Sequence, residues 1–186
     1  MVRLLIVGDS ISVGYEPVVR RELAALALVQ HNPDNGGDSS NVLAHVDGWL
    51  AAVRPDLVTL NCGLHDIKRD RRTGAYQVPL DLYRRNLRTI ADRIAAAGPR
   101  LLWVTTTPVI EQRHRLSRDF DRFNADIDAF NAAAAQVLPT LDVIDLHAAA
   151  TGLGLETVIA PDGVHFTPAG YESLGQFIAA RLRELI

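Results

Sequence analysis

The chain has 186 residues, 48% of them hydrophobic and 22% charged, with a formal net charge of −3. That is enough apolar mass for a full core, and residues 1–186 read as one domain. The acidic balance gives no electrostatic case for nucleic acid, and the one cysteine, Cys62, excludes an intramolecular disulfide.

No stretch approaches the ~20 continuous apolar residues of a membrane span. Arg3 is followed by only five apolar or small residues before Asp9, which is not the layout of a signal peptide. The expected location is cytoplasmic, with a trimmed export signal left open. Residues 3–7 form a short apolar run and read as a buried strand. Glu16 to Ala25 reads as a helix, and Leu28 to His31 as a second strand. Val42 to Val53 repeats apolar residues on one helical face, with Ser39 or Ser40 as N-cap and Pro55 as stop. Leu57 to Cys62 is the third strand, and Cys62 within it reads as a small core residue. The basic run Lys68-Arg69-Asp70-Arg71-Arg72 reads as a solvated loop.

Leu80 to Ala97 is a long amphipathic helix ended by Gly98. Leu101 to Thr106 is the fourth strand. Phe120 to Leu138 reads as a helix, with Phe120, Phe123, Ile127, Phe130 and Ala134 on one face. Leu141 to Ile144 is the fifth strand. Thr167 caps a last helix that opens with Pro168 and runs to Leu185. Strands alternating with helices predict an α/β three-layer sandwich, a parallel sheet with helices on both faces. Ligands in such sheets bind beyond the carboxyl ends of the strands. Ser10, Gly37, His65 and His165 all follow strands, so the candidate chemistry converges on one sheet edge.

Four segments carry that chemistry. Gly8-Asp9-Ser10 places a hydroxyl at a strand exit, although an Asp/Ser turn capping a helix would look the same. Asp162-Gly163-Val164-His165 sets a carboxylate and an imidazole three residues apart. A serine hydroxyl needs a neutral imidazole to take its proton, and that imidazole needs a carboxylate to fix its tautomer. A cap with a surface histidine is the competing reading. Asn35-Gly36-Gly37-Asp38-Ser39-Ser40 precedes a helix start and can offer backbone N–H groups to an oxyanion. It can also be a plain loop. Asn61-Cys62-Gly63-Leu64-His65-Asp66 closes the third strand with a polar pair. A metal held by His65, Asp66, Asp9 and His165 lacks any repeated ligand spacing, so no metal is expected.

These four segments, in this order, resemble the blocks of the SGNH or GDSL hydrolases. The most specific stretch runs from Asp162 to Tyr171 (DGVHFTPAGY). The resemblance covers nearly the whole chain. It implies a flavodoxin-like sheet of order 2-1-3-4-5 and cofactor-free hydrolysis of esters or thioesters. It assigns Ser10 as nucleophile, His165 as base and Asp162 as its partner. It makes Ser10 and Gly37 N–H groups oxyanion donors, with Asp9 and Asp66 in support. One position departs: the family's third donor, an asparagine, aligns with His65, whose ring N–H can donate the same bond.

The expected function is therefore serine-dependent hydrolysis of a small-molecule ester with a small acyl group. The polar loop Val109 to Asp119 hints at a hydrophilic alcohol such as an acetylated sugar. An acyltransferase using the same three residues, or a non-catalytic carbohydrate-binding module, are the alternatives. A phosphate-accepting receiver domain is disfavoured, because Asp9-Ser10 stands where it would need an acidic pair.

Overall fold

The computed structural model describes residues 1–186. In chain order the elements are β1 (Val2–Val7), α1 (Ser10–Glu22), β2 (Ala27–His31), α2 (Ser39–Val53), β3 (Leu57–Leu60), β4 (Arg69–Asp70) and α3 (Leu80–Ala97). They continue with β5 (Arg100–Val104), α4 (Glu111–Ser117), β6 (Phe120–Asp121), α5 (Asn124–Val137), β7 (Asp142–Ile144), α6 (Leu146–Gly152), α7 (Leu155–Val158) and α8 (Pro168–Arg183). Five parallel strands form one sheet of order β2-β1-β3-β5-β7. This is the expected 2-1-3-4-5 order.

Burial explains the strand sequences. Leu4 to Val7, all of β3, and Leu101 to Val104 are buried, as central parallel strands covered on both faces must be. The edge strand β2 alternates buried and exposed residues over its first four positions instead. Helices α1 and α8 pack against each other, while α2, α3 and α5 make the other packed set. The result is a three-layer sandwich with 45 buried residues in one contiguous cluster.

Several boundaries differ from expectation. The first helix begins at Ser10 rather than Glu16, because Asp9 caps it through an Ile11 N–H bond of 2.9 Å. Pro17 lies inside α1 on its exposed side, where its missing donor is tolerated. The cap of α2 is Asp38, which accepts from Ser40 and Asn41, not Ser39 or Ser40. The stretch read as one helix from Phe120 splits. Phe120–Asp121 pairs antiparallel with Arg69–Asp70, and α5 starts only at Asn124. The basic run is a solvated loop only in part: Asp70, Arg71 and Arg72 are exposed, yet two of its arginines are held. Arg69 pairs with Asp126 at 2.5 Å and Arg71 with Asp121 at 3.0 Å, which ties β4 to the following segment. Helix α4 carried no periodic signal long enough to be read.

No helix is long and apolar enough to cross a membrane.

Candidate active site

Ser10 is the first residue of α1, immediately beyond β1. Its backbone N–H is one of the orphan donors of a helix start and makes no bond within the protein. Its Oγ lies 2.9 Å from His165 Nε2. The other ring nitrogen, Nδ1, lies 2.5 Å from Asp162 Oδ2. With Nδ1–H donated to the carboxylate, Nε2 is left as the acceptor for the serine proton.

The turn holding Asp162 and His165 is built from its own backbone. Asp162 Oδ1 accepts the Val164 and His165 N–H groups, each at 3.0 Å. Burial alone would raise the Asp162 carboxyl. The His165 ring and these two N–H bonds outweigh it and hold the group at about 2. Gly163 has φ +76, and a Cβ there would lie 2.4 Å from His114 N and 2.6 Å from Ile110 O. Only glycine lets the turn dock against α4, where Ile110 N–H donates to Gly163 O at 2.8 Å. Ser117 Oγ also donates to Asp162 O at 2.9 Å. The unpredicted helix α4 is thus the buttress of the acid–base turn.

His65 stands in the loop after β3. It lines a cavity of about 220 Å³ together with Ser10, Asn35, Lys68, Arg118, Phe120, Arg122, Val164 and His165. Neither ring nitrogen of His65 has a partner in the protein. Burial, then the charges of Lys68 and Arg122, push His65 down to about 3, so it is neutral and carries a single N–H. Gly37 is placed differently. It has φ +65, and its N–H is donated to Asn35 Oδ1 at 2.9 Å. That donor is engaged while Asn35 lines the cavity.

Asp9 and Asp66 hold backbone rather than face the cavity. Asp9 is fully buried and caps α1, with Oδ2 unpartnered; burial raises its carboxyl above the ordinary range. Asp66 accepts from Ser39 N–H at 3.0 Å and from Ser39 Oγ at 2.5 Å. It therefore clamps the start of α2, beside Gly37, to the loop that carries His65. Burial raises Asp66 to about 6.

The cavity's cations escaped the sequence reading. Arg122 and Phe120 were assigned to a helix and Lys68 to a solvated run. Only the strand pairing of β4 with β6, which no local pattern announces, brings them to Ser10. A larger hollow of about 470 Å³ lies among Arg3, Pro55 and Pro99, near the amino ends of the strands. Its one carboxylate, Asp47, is paired with Arg93 at 3.0 Å, and it holds no Ser, Cys or His, whereas the smaller cavity holds Ser10 and His165. No trio of His, Cys, Asp or Glu is arranged to hold a metal ion.

The GDSL-like Lipase/Acylhydrolase family matches residues 6–173. The chain belongs to that family. Members of this GDSL type are carboxylic ester hydrolases, and this chain is one by the same assignment. Among solved structures, a lipase/acylhydrolase from Enterococcus faecalis is 25% identical, with a TM-score of 0.83 over 100% of this chain and 97% of that one. The acetylxylan esterase Axe2 from Geobacillus stearothermophilus is 22% identical, with a TM-score of 0.78 over 99% and 94%. The acetyl xylan esterase AlAXEase is 16% identical, with a TM-score of 0.79 over 97% and 100%. The last two likenesses bear on the fold alone. A search of curated proteins gives no match.

Proposed function

We propose that this GDSL hydrolase cleaves short-chain esters, such as an acetyl group on a hydrophilic alcohol, through an acyl-enzyme on Ser10. The observation that carries the reading is the chain of two contacts at one sheet edge, Ser10 Oγ to His165 Nε2 at 2.9 Å and His165 Nδ1 to Asp162 Oδ2 at 2.5 Å. Ser10 attacks the ester carbonyl while His165 Nε2 takes its proton. The carbonyl oxygen becomes an oxyanion held by the free Ser10 N–H and the neutral His65 N–H. Gly37 N–H joins them once the oxyanion displaces Asn35 Oδ1. His165 then returns the proton to the leaving alcohol. Water, deprotonated by the same ring, releases the acid and restores Ser10.

The substrate class follows from the cavity. At about 220 Å³ it is smaller than common drug-sized sites of roughly 300–1,000 Å³. Its apolar lining is only Phe120 and Val164, which suits a short acyl group better than a fatty chain. Two of the similar folds carry names that describe acetylxylan esterases, in keeping with a short acyl group on a polar alcohol.

The test is a fluorophosphonate probe combined with para-nitrophenyl esters of graded chain length. The probe adds its mass to the Ser10 peptide, acetate outruns octanoate in kcat/KM, and Ser10→Ala falls to background while staying folded. Labelling at another residue, or full turnover by Ser10→Ala, overturns the assignment.

A further inference from the structure

Three cations line the cavity at Ser10, and two of them have no counterion. Arg118 is the exception, 3.7 Å from Asp162 Oδ2. Arg122 is only 6% exposed. Its Nε donates to Leu64 O at 2.6 Å and its Nη1 lies 3.2 Å from His114 Nε2, but no carboxylate comes within 4 Å. Lys68 Nζ makes neither a hydrogen bond nor an ion pair. Both charges lie over the same ring, with Lys68 Nζ 5.3 Å and Arg122 Cζ 5.0 Å from the Phe120 centroid. Neighbouring arginines differ: Arg69, Arg71 and Arg115 all reach Asp126 or Asp121.

A buried guanidinium without a carboxylate is costly to desolvate. Burial lowers Arg122 to about 10, against a more distant pull from Asp9 and Asp162. Lys68 is likewise lowered, by burial and then by Arg122 itself. In a protein of net charge −3, two uncompensated cations in the cavity of the nucleophile mark a seat for an anion.

Resting on the esterase reading above, we propose that the natural ester carries an anionic group, a carboxylate or phosphate, which sits between Lys68 and Arg122 while the ester carbonyl meets Ser10. Arg122 Nη2 has no partner and can donate to the anion, and Lys68 adds a point charge. The anion selects the substrate and holds the ester in register.

Two pairs of acetyl or acyl esters locate the charge. The first compares 4-acetoxybenzoate with 4-acetoxybenzamide, which puts the anion on the alcohol. The second compares para-nitrophenyl hemisuccinate with para-nitrophenyl butyrate, which puts it on the acyl group. Each rate is normalised to hydroxide hydrolysis of the same ester. In at least one pair the anionic member gains about tenfold or more in kcat/KM at low salt, a ratio that shrinks as sodium chloride is raised. Lys68→Gln lowers that ratio severalfold, as does Arg122→Gln where it folds. A ratio removes any general loss of activity. Wild-type turnover of the neutral members with ratios near one in both pairs overturns the anion seat and leaves the esterase reading standing. A ratio unchanged by Lys68→Gln also overturns it, since the cation would then act on the reaction and not on the substrate's charge. If no member of either pair is cleaved, both readings fall together.

Discussion

Replacing His65 tests the proposed oxyanion donor through two independent readouts. At neutral pH the ring is uncharged and offers one N–H to the cavity. A single donor of this kind is worth about 10² to 10³ in kcat, roughly 2.7–4 kcal/mol. His65→Ala is expected to lose that factor in kcat with KM little changed, because the bond forms mainly in the transition state. His65→Asn restores an N–H donor of similar reach and recovers part of the loss. The second readout is acid stability. The folded value of about 3 lies below the ordinary 6.5, so the ring favours the native state fully above pH 6.5. As pH falls below 6.5 only the unfolded chain takes up the proton, and stability is lost progressively toward pH 3. Two pH units at about 1.4 kcal/mol each give about 2.7 kcal/mol at pH 4.5, or about 2 kcal/mol after allowing for solvent in the open cleft. His114, lowered to about 4, loses stability in the same direction, while Asp66, raised to about 6, gains it as pH falls. Both act equally in wild type and His65→Asn and cancel in the comparison. Urea melts at pH 7 and 4.5 should therefore show a drop about 2 kcal/mol smaller for His65→Asn than for wild type. Unchanged kcat in His65→Ala would refute the donor role; equal acid sensitivity in the two proteins would refute the neutral, buried state.

Asp162→Asn is expected to keep the fold yet lower kcat by about 10⁴, since the imidazole loses the partner that fixes its tautomer; a loss under tenfold in steady-state kinetics would contradict this. Combining it with His165→Ala should add almost nothing, because the two residues act as a unit. Gly163→Ala forces a left-handed conformation worth about 1–2 kcal/mol of strain and drives a methyl into the α4 backbone. Thermal melting should drop and kcat should fall by about 10², the scale of a 1 Å misplacement, with a native circular-dichroism spectrum; wild-type turnover in this variant would refute the buttress. Dialysis against EDTA should leave ester hydrolysis unchanged, and a loss reversed by a divalent ion would refute a mechanism carried by Ser10, His165 and Asp162 alone.

The sheet was legible because its central strands are short, continuous apolar runs, and parallel order follows from the intervening helices. Ser10, Asp162 and His165 were legible for a local reason. Each stands at a strand exit or within one turn, and the turn that joins the last two closes over three residues. The rest of the cavity depends on distant pairing. Lys68 and Arg122 meet only because Arg69 aligns with Asp121 across a two-residue ladder. A ladder that short has no periodicity, and Phe120 and Phe123 mimic a helical stripe. Asp38 lost the N-cap assignment to Ser39 because Ser39 is also a good cap. Its hydroxyl is instead committed to Asp66, a contact 27 positions away in the chain.

The hydrogen bond between Ser10 and His165 joins residues 155 positions apart. The proposed nucleophile and base thus come from opposite ends of the chain. A nascent or partly folded chain therefore holds an ordinary, unreactive serine until α8 and the turn before it settle against α1. Turnover on this reading requires α1 and the turn before α8 to be docked together, so activity in mild denaturant would follow the contact between the first and last elements.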